Sequence, residues 1–375
     1  MKAQFLAIFL TACCSMTQAF SQENYLITGT YTKGKSEGLY VLNFNEADGS
    51  LKEISSIKSS NPSFVAVSKD QRFVYAVNEN GKDDNGGEIS AFSFDKSTGK
   101  LTALNQKFTK GDHPCYVDID KTGKWVFAGN YSSGTLSVFP VAADGSLGEA
   151  TTTIKHTGSS ANKDRQEKPH VHCTIISPDN KFLFVPDLGI DKVMIYAFNA
   201  QTGKLTPAPK PFFKAKPGAG PRHLTFHPNG KFAYLIEELT GQVIAFTYRN
   251  GKLTQLQQTA STPRGQKGFA GSADIHVSGD GKYLYASNRG DFNDLAYYKI
   301  NPVTGKLSIV GFQSTLGNAP RNFTLSPGGN YLLVGNQESD AVVVFKRDAK
   351  TGGLSETGTQ LEIGKPVCLK WAGNK

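Results

Sequence analysis

The chain has 375 residues and carries 41 Lys and Arg against 32 Asp and Glu, a formal charge of +9. The excess is dispersed over turn lysines such as Lys100, Lys124, Lys181, Lys204, Lys231 and Lys282. No basic run with interleaved aromatics occurs, which excludes a nucleic-acid track and leaves steering of a small anion.

Taken in chain order, the first predicted element is an export signal over residues 1–23. Lys2 precedes an apolar run from Phe5 to Ala12, too short to span a bilayer. Two processing sites compete: Leu10-Thr11-Ala12-Cys13 resembles a lipobox that would leave a lipid anchor on Cys13, and Thr17-Gln18-Ala19 fits an ordinary cleavage site. Either one places the protein outside the cytoplasm, in the periplasm or on the cell envelope.

From residue 24 onward short apolar strands repeat. A Gly-x-Leu turn recurs seven times, with its glycines at Gly49, Gly99, Gly145, Gly203, Gly251, Gly305 and Gly352, spaced 50, 46, 58, 48, 54 and 47 residues apart. Six further segments each carry strand, polar turn, strand; their turns read SKDQR, DKTGK, SPDNK, HPNGK, SGDGK and SPGGN. A seventh copy is split between Lys365–Trp371 at the C-terminus and YLITGTY at 25–31, which matches WVFAGNY at 125–131. Sustained helical periodicity is absent. A period near 50 with no helices predicts an all-β, seven-bladed β-propeller, a single domain over 24–375 closed by pairing of its N- and C-terminal strands in one blade. A closed ring needs no partner to be stable, so a monomer is expected. Cys115, Cys173 and Cys368 fall on first strands of different blades and read as buried thiols, and no Cys or His spacing suggests a metal.

Aligning the blades on the turn lysine exposes where one copy departs from its siblings. Near the start of the first strands stand Ser63, Cys115, His172, Arg222, Ala273 and Arg321 at one equivalent position. At the end of the second strands stand Asn78, Asn130, Asp187, Glu237, Asn288 and Asn336, followed by Glu79, Tyr131, Leu188, Glu238, Arg289 and Gln337. Pseudo-symmetry carries equivalent positions to equivalent radii, so these residues are expected to ring one mouth of the central channel, with Asn78, Asn130, Asn288 and Asn336 read as residues that merely cap turns. A scaffold has no need of imidazole, guanidinium or carboxylate there, and buried charges are costly unless paired or used. His172, Arg222, Glu238 and Arg289 are the candidate catalytic groups, with Arg321, His170, Glu237 and His276 as candidate substrate contacts. His227, in the turn before Pro228, is expected to face solvent.

The segments PHVHCTIISPDNKFLFVPDLG (169–189), GPRHLTFHPNGKFAYLIEEL (220–239), SADIHVSGDGKYLYASNRG (272–290) and APRNFTLSPGGNYLLVGNQESD (319–340) resemble the seven-bladed 6-phosphogluconolactonase family, which also includes carboxy-muconate cyclases. The resemblance covers essentially the whole chain after the signal. It implies an enzyme that acts on lactones without a redox cofactor, and its active-site His, the Arg of GPRH, the following Glu and the Arg of SNRG match His172, Arg222, Glu238 and Arg289. This chain has Glu237-Glu238 where the family commonly has Asn-Glu.

Opening a sugar lactone needs an activated water, a stabilised oxyanion and a seat for substrate charge. Glu238, helped by His172, is the expected general base, and Arg222 and Arg289 are expected to hold the oxyanion. No GxSxG elbow points to a serine nucleophile. Two other classes stay open: a muconate-type lactonising cyclase using the same groups, and a non-enzymatic propeller that binds a ligand or protein. Phosphorylated sugar lactones arise inside cells, so export leaves unphosphorylated lactones open as substrates.

Overall fold

The computed structural model describes residues 24–82 and 86–373; the export signal and Cys13 lie outside them. Seven four-stranded antiparallel sheets are arranged in a ring, and no α-helix occurs among the described residues. Blades 1 to 6 begin on the inner strands Phe64–Val67, Pro114–Ile119, Ile175–Ile176, Pro221–Phe226, Ser272–Val277 and Pro320–Leu325. Blade 7 takes its inner strand, Pro366–Gly373, from the C-terminus and pairs it with Asn24–Thr30, with Leu26 opposite Trp371 and Thr28 opposite Leu369. The ring therefore closes as the split repeat predicts.

Second strands such as Phe232–Glu237 and Tyr283–Asn288 are buried along their whole length, because neighbouring blades cover both faces. Outer strands such as Lys100–Phe108 alternate between partly buried and exposed residues.

The recurring glycine also has a structural reason. All seven turn glycines have positive φ, and a Cβ on each would collide with the aromatic ring that opens the second strand of an adjacent blade. Gly145 seats Phe73, Gly203 seats Trp125, Gly251 seats Phe182, Gly305 seats Phe232, Gly352 seats Tyr283, Gly49 seats Tyr331, and Gly99 seats Tyr25 across the chain-terminus junction. Hydroxyls reinforce the lock: Tyr75 and Tyr234 donate to the carbonyls of Gly145 and Gly305 at 3.0 Å, and Tyr285 to that of Gly352 at 2.7 Å. A left-handed residue without a side chain is what such a seat demands.

Most inner strands begin with a bulge. Pairing jumps from Pro221 to His223 in blade 4, from Pro320 to Asn322 in blade 6, and from Pro114 to Tyr116 in blade 2. Arg222, Arg321 and Cys115 are the skipped residues, freed from strand alternation and re-aimed at the channel mouth. In blade 3 the inner strand is shorter still, and an isolated bridge between Val171 and Asp187 precedes it.

Candidate functional site

Bulge residues and second-strand ends converge on one cavity of about 240 Å³ at the channel mouth. Cys115 and Arg321 come from inner strands, and His172 from the stretch between the Val171–Asp187 bridge and the inner strand of blade 3; Tyr31, Glu79, Tyr131, Glu238 and Arg289 each follow a second strand; Arg165 comes from the segment joining blades 2 and 3. A second, outer compartment of about 310 Å³ shares Arg165, Glu238, Arg289 and Arg321 and adds Phe269, Gly271, Gly290, Ala319 and Gln337.

Glu238 is the electrostatic centre. Its Oε1 accepts from Arg165 Nη2 at 2.7 Å, and its Oε2 accepts from Arg222 Nε at 2.9 Å and forms an ion pair with Arg289 Nη2 at 3.2 Å. The His172 Nε2 stands 4.0 Å from the same Oε2. Burial by itself would raise this carboxyl, but the guanidiniums of Arg289, Arg222 and Arg165 outweigh it and hold Glu238 down at about 2. Burial, then the charges of Arg222 and Arg321 with His223 between them, keeps His172 well below its ordinary range, so its imidazole is neutral at pH 7. Cys115 lies with Sγ 3.7 Å from His172 Nδ1, and burial pushes its thiol well up, which leaves it without nucleophilic thiolate.

Arg222 forms a buried floor beneath Glu238, only 1% exposed, and does not itself line the cavity where the sequence expected it to act. Below it, His223 Nδ1 meets Asp274 Oδ1 at 2.9 Å, while its Nε2 lies 3.2 Å from Arg222 Nη1. Burial and the Arg222 charge push His223 down to about 3, so the ring is neutral. Asp274 only accepts and Arg222 only donates; Nδ1 must therefore carry the proton and Nε2 the lone pair. The chain Asp274–His223–Arg222–Glu238 fixes the guanidinium from both sides.

Three guanidiniums (Arg165, Arg289, Arg321) and two carboxylates (Glu79, Glu238) line the cavity, while the Arg222 guanidinium lies behind Glu238 with the Asp274 carboxylate beyond His223. Glu79 accepts from the Tyr31 hydroxyl at 2.8 Å. Arg321 makes no hydrogen bond or ion pair among the described residues and lies 5.4 Å from the Tyr31 ring centroid. Also among the described residues, no three His, Cys, Asp or Glu side chains converge as a metal ion would require.

Three expected substrate contacts fall elsewhere. His170 stacks on Tyr131, at 4.4 Å between ring centroids, and bonds to the Tyr131 carbonyl and Glu167, outside the cavity wall. His276 bonds to Asp274 Oδ2 at 2.8 Å, beneath the floor residues. Glu237 turns into its own blade: its Oε2 accepts from Thr240 and from Gln258 of the outer strand, and its Oε1 is buried without a partner. Asn78, Asn130, Asn288 and Asn336 all turn away from the channel and bond to loop carbonyls, because neighbouring residues of a strand face opposite ways. His227 is buried rather than solvent-facing, held by the Gly281 carbonyl of the next blade at 2.9 Å.

Of the residues that line the cavity, Tyr31, Glu79 and Tyr131 were accessible to the repeat register, since all three occupy the position occupied by Glu238. Arg165 was not, because no other blade has an equivalent.

Glu237 carries a pH prediction. Burial raises its carboxyl to about 7, with Asp191 adding to the rise and bonds from Thr240 and Gln258 opposing it. A raised folded-state value means that stability is fully present below the unfolded value of 4.5 and is lost as pH climbs through about 7. In urea titrations, the stability of Glu237→Gln relative to wild type should therefore grow by about 3 kcal/mol between pH 4.5 and 8.

Comparison with known proteins gives consistent matches. The family model Lactonase, 7-bladed beta-propeller, matches residues 25–371. A Bacillus subtilis (strain 168) protein named 6-phosphogluconolactonase is 37% identical over 346 residues, covering 92% of this chain and 97% of its own. One of the same name from Formosa agariphila is 36% identical, covering 92% and 98%. The solved structure of the Pseudomonas aeruginosa periplasmic gluconolactonase superposes with a TM-score of 0.90 at 40% identity, covering 94% of this chain and 99% of that one.

Proposed function

The chain belongs to the family of seven-bladed β-propeller lactonases, and from that premise we propose that it hydrolyses a sugar lactone in the cavity shared by His172, Glu238, Arg289 and Arg321. The observation that carries this reading is the meeting, in one small and mostly buried space, of a neutral imidazole with an excess of guanidinium charge.

In this reaction water attacks the lactone carbonyl, a tetrahedral oxyanion forms, and the ring C–O bond breaks to give a hydroxy acid. No electrons are exchanged, so the chemistry calls on no redox cofactor. The division of labour we favour differs from a Glu238 base. A carboxylate held near 2 by three guanidiniums takes a proton poorly; its part is to hold Arg222 and Arg289 in place. His172, uncharged and within the wall, takes the proton from water and returns it to the leaving alkoxide. Positive surroundings make its imidazole weakly basic in the empty cavity, and the negative charge of an oxyanion or anionic substrate would raise its basicity as the reaction proceeds. Arg321, with its donors unspent, and Arg289, whose Nε and Nη2 are engaged by the Gly271 carbonyl and Glu238 but whose Nη1 has no partner among the described residues, receive the developing charge. An export signal in residues 1–23 would deliver this activity outside the cytoplasm, soluble after cleavage behind Ala19 or anchored through Cys13.

The test is a panel of sugar δ- and γ-lactones, with and without phosphate, against enzyme-free blanks, since lactones also open spontaneously. Ring opening well above blank on at least one is expected; no excess on any lactone would remove the proposal.

A further inference from the structure

Every blade starts its inner strand at the channel mouth and runs its four strands antiparallel, so the first and third connections of each blade fall on the far face. Turn lysines that are dispersed along the sequence are gathered there. Lys69, Lys121 and Lys124 stand in first connections, and Lys96 and Lys204 in third ones. The chain also enters the ring on this face. Asn24 pairs with Phe44 and Gly373, at the opposite end of its strand from Thr30 and the cavity residue Tyr31. Whatever residues 1–23 carry is therefore attached on the side turned away from the cavity, and residues 14–23 after Cys13 reach at most about 35 Å.

Between blades 1 and 2 the far face holds a groove of about 780 Å³, larger than either compartment at the mouth. Phe73, Trp125, Pro140 and Val141 make an apolar floor, and Lys69, Arg72, Lys121 and Lys124 stand around it against one carboxylate, Asp70. Asp70 is already engaged, accepting from Arg72 Nε and from the Ser68 hydroxyl, each at 2.6 Å. Lys69, Lys121 and Lys124 are exposed, and their ammonium groups make no hydrogen bond or ion pair among the described residues. Blade 2 itself opens the groove. Its outer strand Thr152–Lys155 has 4 residues, where those of blades 1 and 3 have 9 and 10. Its third strand stops at Pro140, which has no N–H to donate, and the chain turns over 141–147 with a single bridge between Val141 and Leu147.

An apolar floor ringed by free ammonium groups has the layering of a lipid interface: lysines meet headgroup phosphates while the ring carbons reach the acyl boundary. A small soluble anion would use the rim and leave the floor in water. We propose that the face opposite the cavity docks on an anionic lipid surface through this groove, so that the cavity opens away from the bilayer. This placement is independent of whether the cavity opens lactones, and it suits both products of processing, an acylated Cys13 or a free chain end after Ala19.

The experiment uses the soluble form, residues 20–375, so that no acyl chain contributes. It should co-sediment at low salt with vesicles of phosphatidylglycerol and phosphatidylcholine in equal parts, be released by high salt, and ignore vesicles of phosphatidylcholine alone. The Lys69→Gln/Lys121→Gln/Lys124→Gln variant should bind the anionic vesicles on the order of 100-fold more weakly. A control, Lys33→Gln/Lys163→Gln/Lys267→Gln, removes the same charge from exposed lysines of the mouth face and should bind as wild type does, with the Tm of all three proteins alike. Failure of wild type to bind the anionic vesicles overturns the proposal. An equal loss in the two variants overturns it too, since binding would then follow net charge rather than the groove. Uptake of polyglutamate but not of vesicles, through the same three lysines, would assign the groove to an acidic protein partner and likewise end the lipid reading.

Discussion

Replacing His172 by alanine is expected to lower kcat for lactone opening by about 10²- to 10⁴-fold, the span typical of a lost general base. KM should move far less, because the guanidiniums that seat the substrate remain. The imidazole is held neutral by burial first and by Arg222, His223 and Arg321 next. A base with a lowered value stays unprotonated through neutral pH, so the wild-type profile should be flat there and fall only in acid. The alanine variant should lose that acid limb along with the rate. Its fold is expected to persist, since the ring packs at the cavity wall against Tyr131 and His223 rather than within a blade. A wild-type rate with an unchanged profile would move the base elsewhere, with Glu79, bonded to the Tyr31 hydroxyl, the next carboxylate in the wall.

Glu238→Gln should damage both stability and catalysis. The carboxylate compensates Arg165, Arg222 and Arg289 at 2.7, 2.9 and 3.2 Å. Removing its charge leaves three guanidiniums facing one another in a desolvated space, and breaking a buried pair on one side costs about 3–5 kcal/mol. The pH dependence gives a second, independent figure. A folded-state value near 2 against an ordinary 4.5 contributes stability that is present above 4.5 and is lost as pH falls toward 2. The gap between wild type and variant, read from urea titrations, should therefore shrink by about 3 kcal/mol over that interval. For catalysis a loss of about 10²- to 10³-fold is expected, the scale of a displaced oxyanion donor. Adding Arg222→Ala should restore much of the stability and none of the rate, a coupling that a double-mutant cycle reads directly.

The ring and its closure were legible in the sequence because each blade must bury both faces against neighbours, and that necessity repeats seven times. The repeated glycine was readable as a turn. Its second duty, seating an aromatic ring from an adjacent blade, needed coordinates. The site was half legible. His172, Arg222 and Arg321 stood out since equivalent blades manage with Ser, Cys or Ala. What a strict period of two hides is the bulge: it sends Arg222 upward to Glu238 and still leaves His223 among Phe64, Tyr116 and His172. The sequence ranks Glu238 as the base and Glu237 as a substrate contact; strand pairing ends at Glu237, which turns to Thr240 and Gln258 of its own blade while Glu238 enters the cavity. Arg165 had no counterpart to be compared with; only the excess length of its repeat marked the place. The basicity assigned to Glu238 also shifted, since the number of guanidiniums touching a carboxylate is a property of packing.

Alkali uptake on a sugar δ-lactone, blank-subtracted at constant pH, tests the central claim when wild type is set beside the Arg222→Ala/Glu238→Gln double variant. That variant removes one positive and one negative charge together, so the cavity keeps its net charge and the propeller its fold. Wild type should consume alkali far above the blank and the double variant at the blank rate; equal uptake by the two folded proteins would mean that lactone opens somewhere other than this cavity.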